Sequence, residues 1–314
     1  MIFYSKHTAL VLLLHRVLPV RDAMWDPMDP KLFERTLQYV QKHFHVIALQ
    51  ELLFHRPAVS SKPLAAITFD DGYRDFIDYS IPLLKKYNIP ASMFVTTDCI
   101  ENNLPTWTYL LDTVFEKSGI LCFSDFDASA LPAEYSKTNW GSAAERIAYG
   151  KKIKQHLKWI PSLQRKKIIN AILKNLYDVT LPVGMMMGWD EVRQAQAAGY
   201  EIGAHSVSHP TLATLEDDVE LDYELNYSAQ QLHEKAGIEK SVFSYPCGSY
   251  DERVMAHTQR AGYKAGLAVD RKLYEPMKDN IYAVPRIELY NESWLKAGMR
   301  MNGTISFIEK FIKN

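Results

Sequence analysis

Cysteine is scarce in this chain of 314 residues, and neither sign of charge is in excess. The three cysteines, Cys99, Cys122 and Cys247, lie far apart and form no CxxC pair. Their spacing excludes a disulfide scaffold and a thiolate zinc site as organising features. Lysine and arginine number 36 against 37 aspartates and glutamates, which gives a net charge of −1. Nucleic acids and anionic membranes attract proteins with a basic excess, so we expect neither as the main partner.

Long hydrophobic runs are also missing near the start of the chain. The run Ala9–Leu14 ends at His15 and is far shorter than the roughly 20 residues of a membrane-spanning helix. A signal peptide would need a longer apolar stretch and a small-residue cleavage site, and neither is seen here. A buried parallel strand explains the run better, because such strands read as continuous apolar segments. We therefore expect no transmembrane segment and a cytoplasmic protein.

The composition is that of a folded globular protein, with 47% hydrophobic and 23% charged residues. Predicted strands cover Ala9–Leu14, 46–48, 65–69, 91–96, Glu201–Ala204, 242–245, 265–268 and 283–287. Predicted helices cover 30–44, 75–87, 189–198, 215–236 and 251–261. Strands that alternate with helices predict an α/β fold with a parallel sheet, either doubly wound or closed into a barrel.

This alternation breaks between about residues 101 and 183. Helical patterns over 106–117, 143–158 and 162–176 fill the stretch, and no strand is predicted there. We interpret it as a helical insertion within a single domain that spans residues 1–314. Its aromatic residues are candidates for a substrate groove, although aromatic side chains at helical spacing more often pack internally. They are Trp107, Tyr109, Trp140 and Trp159.

Two adjacent carboxylates, Asp70 and Asp71, directly follow the predicted strand 65–69 and precede Gly72. In parallel α/β folds the C-terminal ends of the strands form the active site. Neighbouring carboxylates repel one another unless one binds a cation and the other stays free as a base. The alternative is an acidic helix N-terminus with no further function.

Two histidines four positions apart, His205 and His209, follow the predicted strand Glu201–Ala204. Imidazoles at this spacing can face one point, which suits a divalent metal ion. Alone, the pair is equally compatible with two unrelated surface or core histidines. Together with a carboxylate of the first motif, it predicts a hydrolytic metal site with positions left for water and substrate.

A third motif, Tyr245-Pro246-Cys247-Gly248, joins the predicted strand 242–245 to a helix start. Such a turn can present backbone N–H groups to a developing oxyanion, and the alternative is a plain strand-to-helix turn. We do not expect the Cys247 thiol to act as a nucleophile, because no histidine lies beside it in the sequence.

The three motifs, in this order, resemble those of the polysaccharide deacetylases of the NodB-homology type, carbohydrate esterase family 4. The resemblance covers roughly residues 8–100 and 184–290. It implies a distorted (β/α) barrel of about seven parallel strands, a bound divalent metal and N-acetylated sugars as substrates. By position, Asp70 resembles the family's general base, and Asp71, His205 and His209 resemble its metal ligands. Two histidines and a carboxylate suit zinc, and Co²⁺ or Ni²⁺ as well.

Two positions depart from the family's pattern. Many members carry an arginine two residues before the proline of the third motif, where this chain has Ser244. Many also carry a histidine as general acid in the last motif, and residues 283–289 contain none. We hypothesise that Arg286 replaces the missing arginine at the Asp70 carboxylate. His15, which ends the first strand, is a candidate acid, and a structural histidine is an equal alternative.

Three further residues are candidates for contact with the reacting sugar. The resemblance and the oxyanion argument favour the Cys247 N–H as the donor to the oxyanion, with Tyr245 in the same turn. Trp189 lies at the start of the helix before the second motif and resembles a position that is often aromatic in this family's site.

The predicted function is a metal-dependent hydrolase that removes N-acetyl groups from the amino sugars of a polysaccharide or glycan precursor. The expected cytoplasmic location favours a lipid-linked or nucleotide-linked sugar as the substrate. The alternative is a non-catalytic carbohydrate-binding protein on a decayed deacetylase fold. The missing arginine and histidine support this alternative, whereas the intact set of two carboxylates and two histidines argues against it.

Overall fold

The computed structural model of the chain describes residues 7–55, 61–129 and 131–305. The strands in these ranges are β1 (Ala9–Leu14), β2 (His45–Val46), β3 (Leu64–Phe69), β4 (Ser92–Val95), β5 (Glu201–Ala204), β6 (Val242–Ser244), β7 (Ala265–Leu267) and β8 (Ile287–Glu288). The α-helices are α1 (Pro30–His43), α2 (Leu49–Phe54), α3 (Ile81–Lys86), α4 (Thr97–Asn102), α5 (Trp107–Lys117), α6 (Ala143–Leu157), α7 (Ser162–Asn175), α8 (Trp189–Ala197), α9 (Asp218–Ala236), α10 (Glu252–Arg260) and α11 (Trp294–Met301).

The strands form one parallel sheet in the order β7-β6-β5-β4-β3-β1-β8, with β2 paired to β3 beside this path. The segment before β8 joins the two ends of the sheet. Val284 bridges Leu267 of β7, and Ile287 pairs with Leu12 of β1. The sheet is therefore curled into the distorted (β/α) barrel that the resemblance implied, and the predicted fold class is confirmed.

Strand β1 is the apolar run near the start of the sequence. All six of its residues are buried, and it pairs in register with β3 from Ala9↔Leu64 to Leu14↔Phe69. Its position between β3 and β8 explains the run, because a parallel strand with both faces covered needs no polar positions. No helix within the described ranges is long and apolar enough to cross a membrane.

Most predicted elements are present with shifted ends, and the differences have local causes. The predicted helix 75–87 is a π-helical turn, Phe76–Ser80, followed by α3. Pro82 lies in the first turn of α3 and cannot donate the backbone hydrogen bond that would continue one regular helix. The short helices α2, α4 and α11 were not predicted, because six to eight residues carry too few apolar repeats.

The stretch predicted as an insertion contains α5, α6 and α7 and has a hydrophobic cluster of its own. This cluster includes Phe115, Trp140 and Ile172, and Met24 from the barrel side completes it. Polar contacts also join the two parts. Glu116 accepts the backbone N–H of Ala23 at 2.8 Å, and Arg165 donates to the Thr214 hydroxyl at 2.8 Å. That the insertion belongs to a single domain stays a prediction.

Candidate active site

Residues from five distant parts of the chain meet at the carboxyl edge of the sheet. They follow or end β1, β3, β5, β6 and β8. They are His15, Asp70, Asp71, His205, Ser244 and Glu288. All strands are parallel, so their carboxyl ends share one side of the sheet, which is why the motifs converge.

Asp71, His205 and His209 form a compact group that is almost fully buried. The Nε2 atoms of His205 and His209 lie 3.4 and 3.2 Å from Oδ1 of Asp71. One potential ligand atom from each residue lies within 4.8 Å of the others, and no other such group exists among the described residues. Burial disfavours the ionised form, but the two histidines beside it hold the pKa of Asp71 well below its ordinary value.

The donor set fits a divalent cation. Oδ1 of Asp71 is buried and has no hydrogen-bond partner. A buried polar atom without a partner is costly, so the group is better matched to an ion than to its present surroundings. Nδ1 of His205 lies 2.8 Å from the carbonyl oxygen of Ser244. This contact places the proton on Nδ1 and leaves the Nε2 lone pair for a metal.

Left-handed backbone conformations concentrate at and beside these residues. Asp71, Ser206, His209 and Cys247 all have positive φ, at 78°, 67°, 58° and 56°. Non-glycine residues rarely adopt this region, and each such residue costs about 1–3 kcal/mol. The surrounding structure must therefore hold these turns in place.

Glu224 on α9 supports the turn between the two histidines. Its buried carboxylate accepts the N–H groups of Val207 and Ser208 at 2.8 and 2.9 Å and the Ser208 hydroxyl at 2.6 Å. Three hydrogen bonds to one carboxylate fix the loop that carries His205 and His209. No sequence signal pointed to Glu224, because nothing in a helix pattern tells which acidic residue turns inward.

Asp70 is held by Arg286 and Ser244. The guanidinium donates to Oδ1 at 2.9 Å and to Oδ2 at 2.7 Å, and the Ser244 hydroxyl donates to Oδ2 at 2.9 Å. Burial opposes ionisation, yet Arg286 and His205 hold the pKa of Asp70 below its ordinary value. The carboxylate is therefore ionised at neutral pH. Arg286 also donates to Ser244, whose small side chain leaves room for the guanidinium.

His15 lies at the cavity beside Asp70 and Asp71, and its Nδ1 is 3.5 Å from Oε1 of Glu288. Glu288 was not predicted. The signal was available, because Glu288 lies two positions after Arg286 and alternate residues of an extended chain share a face.

The turn after β6 offers one backbone donor to the cavity. Pro246 has no N–H, and the N–H groups of Gly248 and Ser249 donate to the carbonyls of Tyr245 and Pro246 at 2.9 and 3.0 Å. Cys247 lines the cavity, and its N–H is the donor of the turn that remains. Burial raises the pKa of the Cys247 thiol, so it stays protonated and is a poor nucleophile.

Two of the predicted sugar contacts do not reach the cavity. Tyr245 is fully buried and donates its hydroxyl to the carbonyl of Tyr282 at 2.9 Å. Its neighbour Ser244 faces Asp70, so alternation along the strand turns Tyr245 to the other side. Trp189 donates its indole N–H to Glu101 at 2.6 Å and is not among the residues that line the cavity.

The insertion encloses the site. The cavity has a volume of about 520 Å³, and helices α5 and α6 form one of its walls. Trp107 of α5 donates its indole N–H to the carbonyl of His209 at 2.9 Å. Of the aromatic residues considered for a groove, Tyr109 and Trp140 are buried and Trp159 lines the cavity.

The sequence profile described as polysaccharide deacetylase matches residues 58–266, which include the three motifs. The chain belongs to the polysaccharide deacetylase family. The resemblance drawn from the motifs is therefore confirmed, and this polysaccharide deacetylase is an N-deacetylase hydrolase. No curated protein sequence matches the chain.

Solved structures of deacetylases share the fold over nearly the whole chain. The deacetylase PplD from Streptococcus pyogenes, solved in complex with acetate, has a TM-score of 0.62 and 16% identity over 94% of this chain and 97% of its own. IcaB from Ammonifex degensii has a TM-score of 0.57 and 17% identity, covering 94% and 97%. A de-N-acetylase from Aggregatibacter actinomycetemcomitans has a TM-score of 0.56 and 16% identity, covering 94% and 99%. At these identities the likeness concerns the fold alone.

Proposed function

We propose that this polysaccharide deacetylase is metal-dependent and removes N-acetyl groups from the amino sugars of a glycan precursor. The observation that carries the proposal is the position of Asp70, clamped by Arg286, next to the buried group Asp71, His205 and His209. A general base beside a set of metal ligands is the arrangement that amide hydrolysis by an activated water requires.

Asp71, His205 and His209 would hold the ion. The bound ion would lower the pKa of a water molecule and polarise the amide carbonyl. Two imidazoles and a carboxylate suit Zn²⁺, and Co²⁺ and Ni²⁺ are compatible with the same ligands.

The other residues of the site would manage protons and charge. Asp70 accepts the proton of the attacking water, and Arg286 keeps this carboxylate ionised and fixed in direction. The N–H of Cys247 donates to the oxyanion that develops on the carbonyl oxygen. His15, oriented by Glu288, gives a proton to the departing amine. These roles are part of the proposal.

The substrate we propose is a lipid-linked or nucleotide-linked acetylated sugar in the cytoplasm. The apolar run Ala9–Leu14 is the buried strand β1 of the barrel, so this run does not itself cross a membrane. Fractionation of cells that produce the protein would test it, and recovery of the protein outside the cytoplasm would contradict it.

Metal content per chain tests the metal site. We expect about one zinc ion in the purified protein. His205→Ala should lose the ion, whereas His233→Ala on the exposed face of α9 should keep it. No bound metal after equilibration with zinc, cobalt and nickel would contradict the proposal.

Substitution of the base separates catalysis from binding. Asp70→Asn should lower turnover of an acetylated sugar by about 10²–10⁴-fold, because proton transfer in the transition state is lost. Its metal content should stay at one ion per chain. Full activity in this variant would show that Asp70 is not the base.

A further inference from the structure

One wall of the catalytic cavity is basic. Lys151, Lys154 and Lys158 line it from helix α6 and the residue after its end, at spacings of three and four positions. Residues at these spacings share one helix face. We call these three residues the α6 wall.

Only one lysine of the α6 wall is neutralised. Lys154 is buried and donates to both carboxylate oxygens of Asp112, with Nζ 2.6 Å from Oδ2. The Lys154–Asp112 pair has no net charge, whichever of the two side chains carries the proton. Among the described residues, no carboxylate lies within ion-pair distance of Lys151 or Lys158.

The remaining charges of the cavity do not cancel these two lysines. Asp70 is balanced by Arg286, and Asp71 belongs to the proposed metal site. Glu288 lies against His15 and accepts the Tyr290 hydroxyl. Arg271 also lines the cavity. The whole chain has a net charge of −1, so the positive charge here is local.

The α6 wall and the proposed catalytic residues face the same cavity. Lys151, Lys154 and Lys158 line it together with Asp70, Asp71, His205 and His209. An anion bound by the α6 wall would therefore share the cavity with the acetamido group that reacts.

An exposed aromatic ring follows the α6 wall directly. Trp159 lines the cavity and is 60% exposed, whereas most large apolar side chains of the insertion are packed in its own cluster. An indole at the edge of a cavity offers a flat apolar face for a sugar ring.

We propose that the cavity binds an acetylated glycan that carries an anionic group, a phosphate or a carboxylate, beside the sugar that is deacetylated. Lys151 and Lys158 bind the anion, and Trp159 stacks on the neighbouring ring. A neutral glycan can accept only ordinary hydrogen bonds from these two ammonium groups, whereas an anion forms stronger, charge-assisted bonds with both. This inference rests on the proposed function, because it places the anion next to the reacting sugar.

Calorimetric titration of the zinc-loaded, full-length protein tests the inference with matched probes. N-acetylglucosamine is compared with N-acetylglucosamine 1-phosphate, and chitotetraose with a hyaluronan tetrasaccharide, whose charge comes from carboxylates. We expect at least one anionic probe to bind about tenfold more tightly than its neutral counterpart. The probe that gains affinity tells phosphate from carboxylate.

Charge-removing variants locate the effect. Lys151→Gln combined with Lys158→Gln should abolish the preference for the anionic probe and leave binding of the neutral probe within twofold. Lys152→Gln is the matched control, because Lys152 is exposed on the same helix but does not line the cavity. Equal affinities for neutral and anionic probes, or an equal loss in the control, would overturn the proposal.

Acetate release is measured on the same samples and read separately. A lysine-dependent preference without any acetate release would support the anion site while counting against the proposed function. Acetate release with no preference for the anionic probe would support the proposed function and count against the anion site.

Discussion

The Asp70 carboxylate is kept ionised chiefly by Arg286. Arg286 is fully buried and gives two of its N–H groups to the two oxygens of Asp70. Its remaining donors go to the carbonyl of Ala268 and to Thr68 and Ser244. Every contact of this side chain is therefore inside the protein, and loss of either partner would leave a buried charge unpaired.

Arg286→Gln should impair both folding and the pH response of the enzyme. Breaking a buried pair costs about 3–5 kcal/mol of unfolding free energy. Because Arg286 lowers the pKa of Asp70, its removal raises that pKa and moves the acid limb of kcat/KM to higher pH. Urea unfolding and the pH profile of kcat/KM measure the two effects.

Arg286→Lys is the control, because it keeps the charge and loses the two-pronged contact. It should shift the acid limb less than Arg286→Gln does. The stabilising effect of the pair should be present at neutral pH and be lost as pH falls below the ordinary aspartate value, through the lowered pKa of Asp70. A wild-type pH profile in Arg286→Gln would contradict the positioning role.

At the scale of elements, the loop after β5 is held by a helix that contributes no ligand. Ser206 and His209 have positive φ, and the carboxylate of Glu224 on α9 accepts three hydrogen bonds from Val207 and Ser208 between them. The geometry of the two histidines therefore depends on how α9 docks beside β5.

Glu224→Ala should weaken zinc binding by about 10–100-fold, which is the usual effect of losing a residue that orients ligands. Competition with a zinc chelator would measure this affinity. Glu234→Ala on the exposed face of α9 is the control and should leave it unchanged. Equal affinities in the two variants would show that the loop holds its shape without Glu224.

Two helical glycines should respond in opposite ways to alanine. A Cβ on Gly150 of α6 would lie 2.5 Å from the Phe115 ring, whereas one on Gly298 of α11 would meet no atom within 4 Å. Gly150→Ala should destabilise by about 1–3 kcal/mol through overpacking. Gly298→Ala should stabilise by up to about 1 kcal/mol through helix propensity. Urea unfolding measures both, and equal effects would contradict close packing of α5 on α6.

Positions that depend on a single strand or helix could be predicted from the sequence. Each of the two central motifs directly follows an apolar strand, so Asp70, Asp71 and the histidine pair could be placed at one edge before any coordinates. The distorted barrel came from the resemblance, because alternation alone left a doubly wound sheet open. Residues whose place depends on helix docking, such as Glu224 and Lys158, could not be predicted. The turn motif alone does not show which way the Tyr245 side chain points, whereas alternation with its neighbour Ser244 turns it away from the cavity.

At the scale of the whole molecule, the insertion and the barrel share the active site. The insertion supplies the α6 wall, and Trp107 donates to the carbonyl of the metal-ligand candidate His209. The hydrophobic cluster of the insertion also includes Met24, which follows β1 in the chain. The position of the insertion and the geometry of the proposed metal site are thus linked.

Trp107→Phe tests this link, because it keeps an aromatic ring and removes the N–H that binds His209. Loss of this hydrogen bond frees the backbone that positions the His209 imidazole, so we expect a roughly tenfold or greater loss of zinc affinity, the usual effect of losing a group that orients a ligand. Trp189→Phe removes a similar indole hydrogen bond, to Glu101, away from the cavity and should leave zinc affinity unchanged. If both variants bind zinc like the wild type, the insertion does not support the ligand.

The bond between Asp70 and Arg286 also sets an order of events during synthesis. The two residues are 216 positions apart, and β8 follows Arg286 directly. A ribosome adds about 5–20 residues per second, so Arg286 is synthesised about ten seconds or more after Asp70. Until then the Asp70 carboxylate has no arginine to offset the cost of its burial. The edge of β1 that later pairs with β8 has no partner strand. The nascent chain would thus carry Asp71, His205 and His209, the proposed metal ligands, well before Arg286 is present to complete the site.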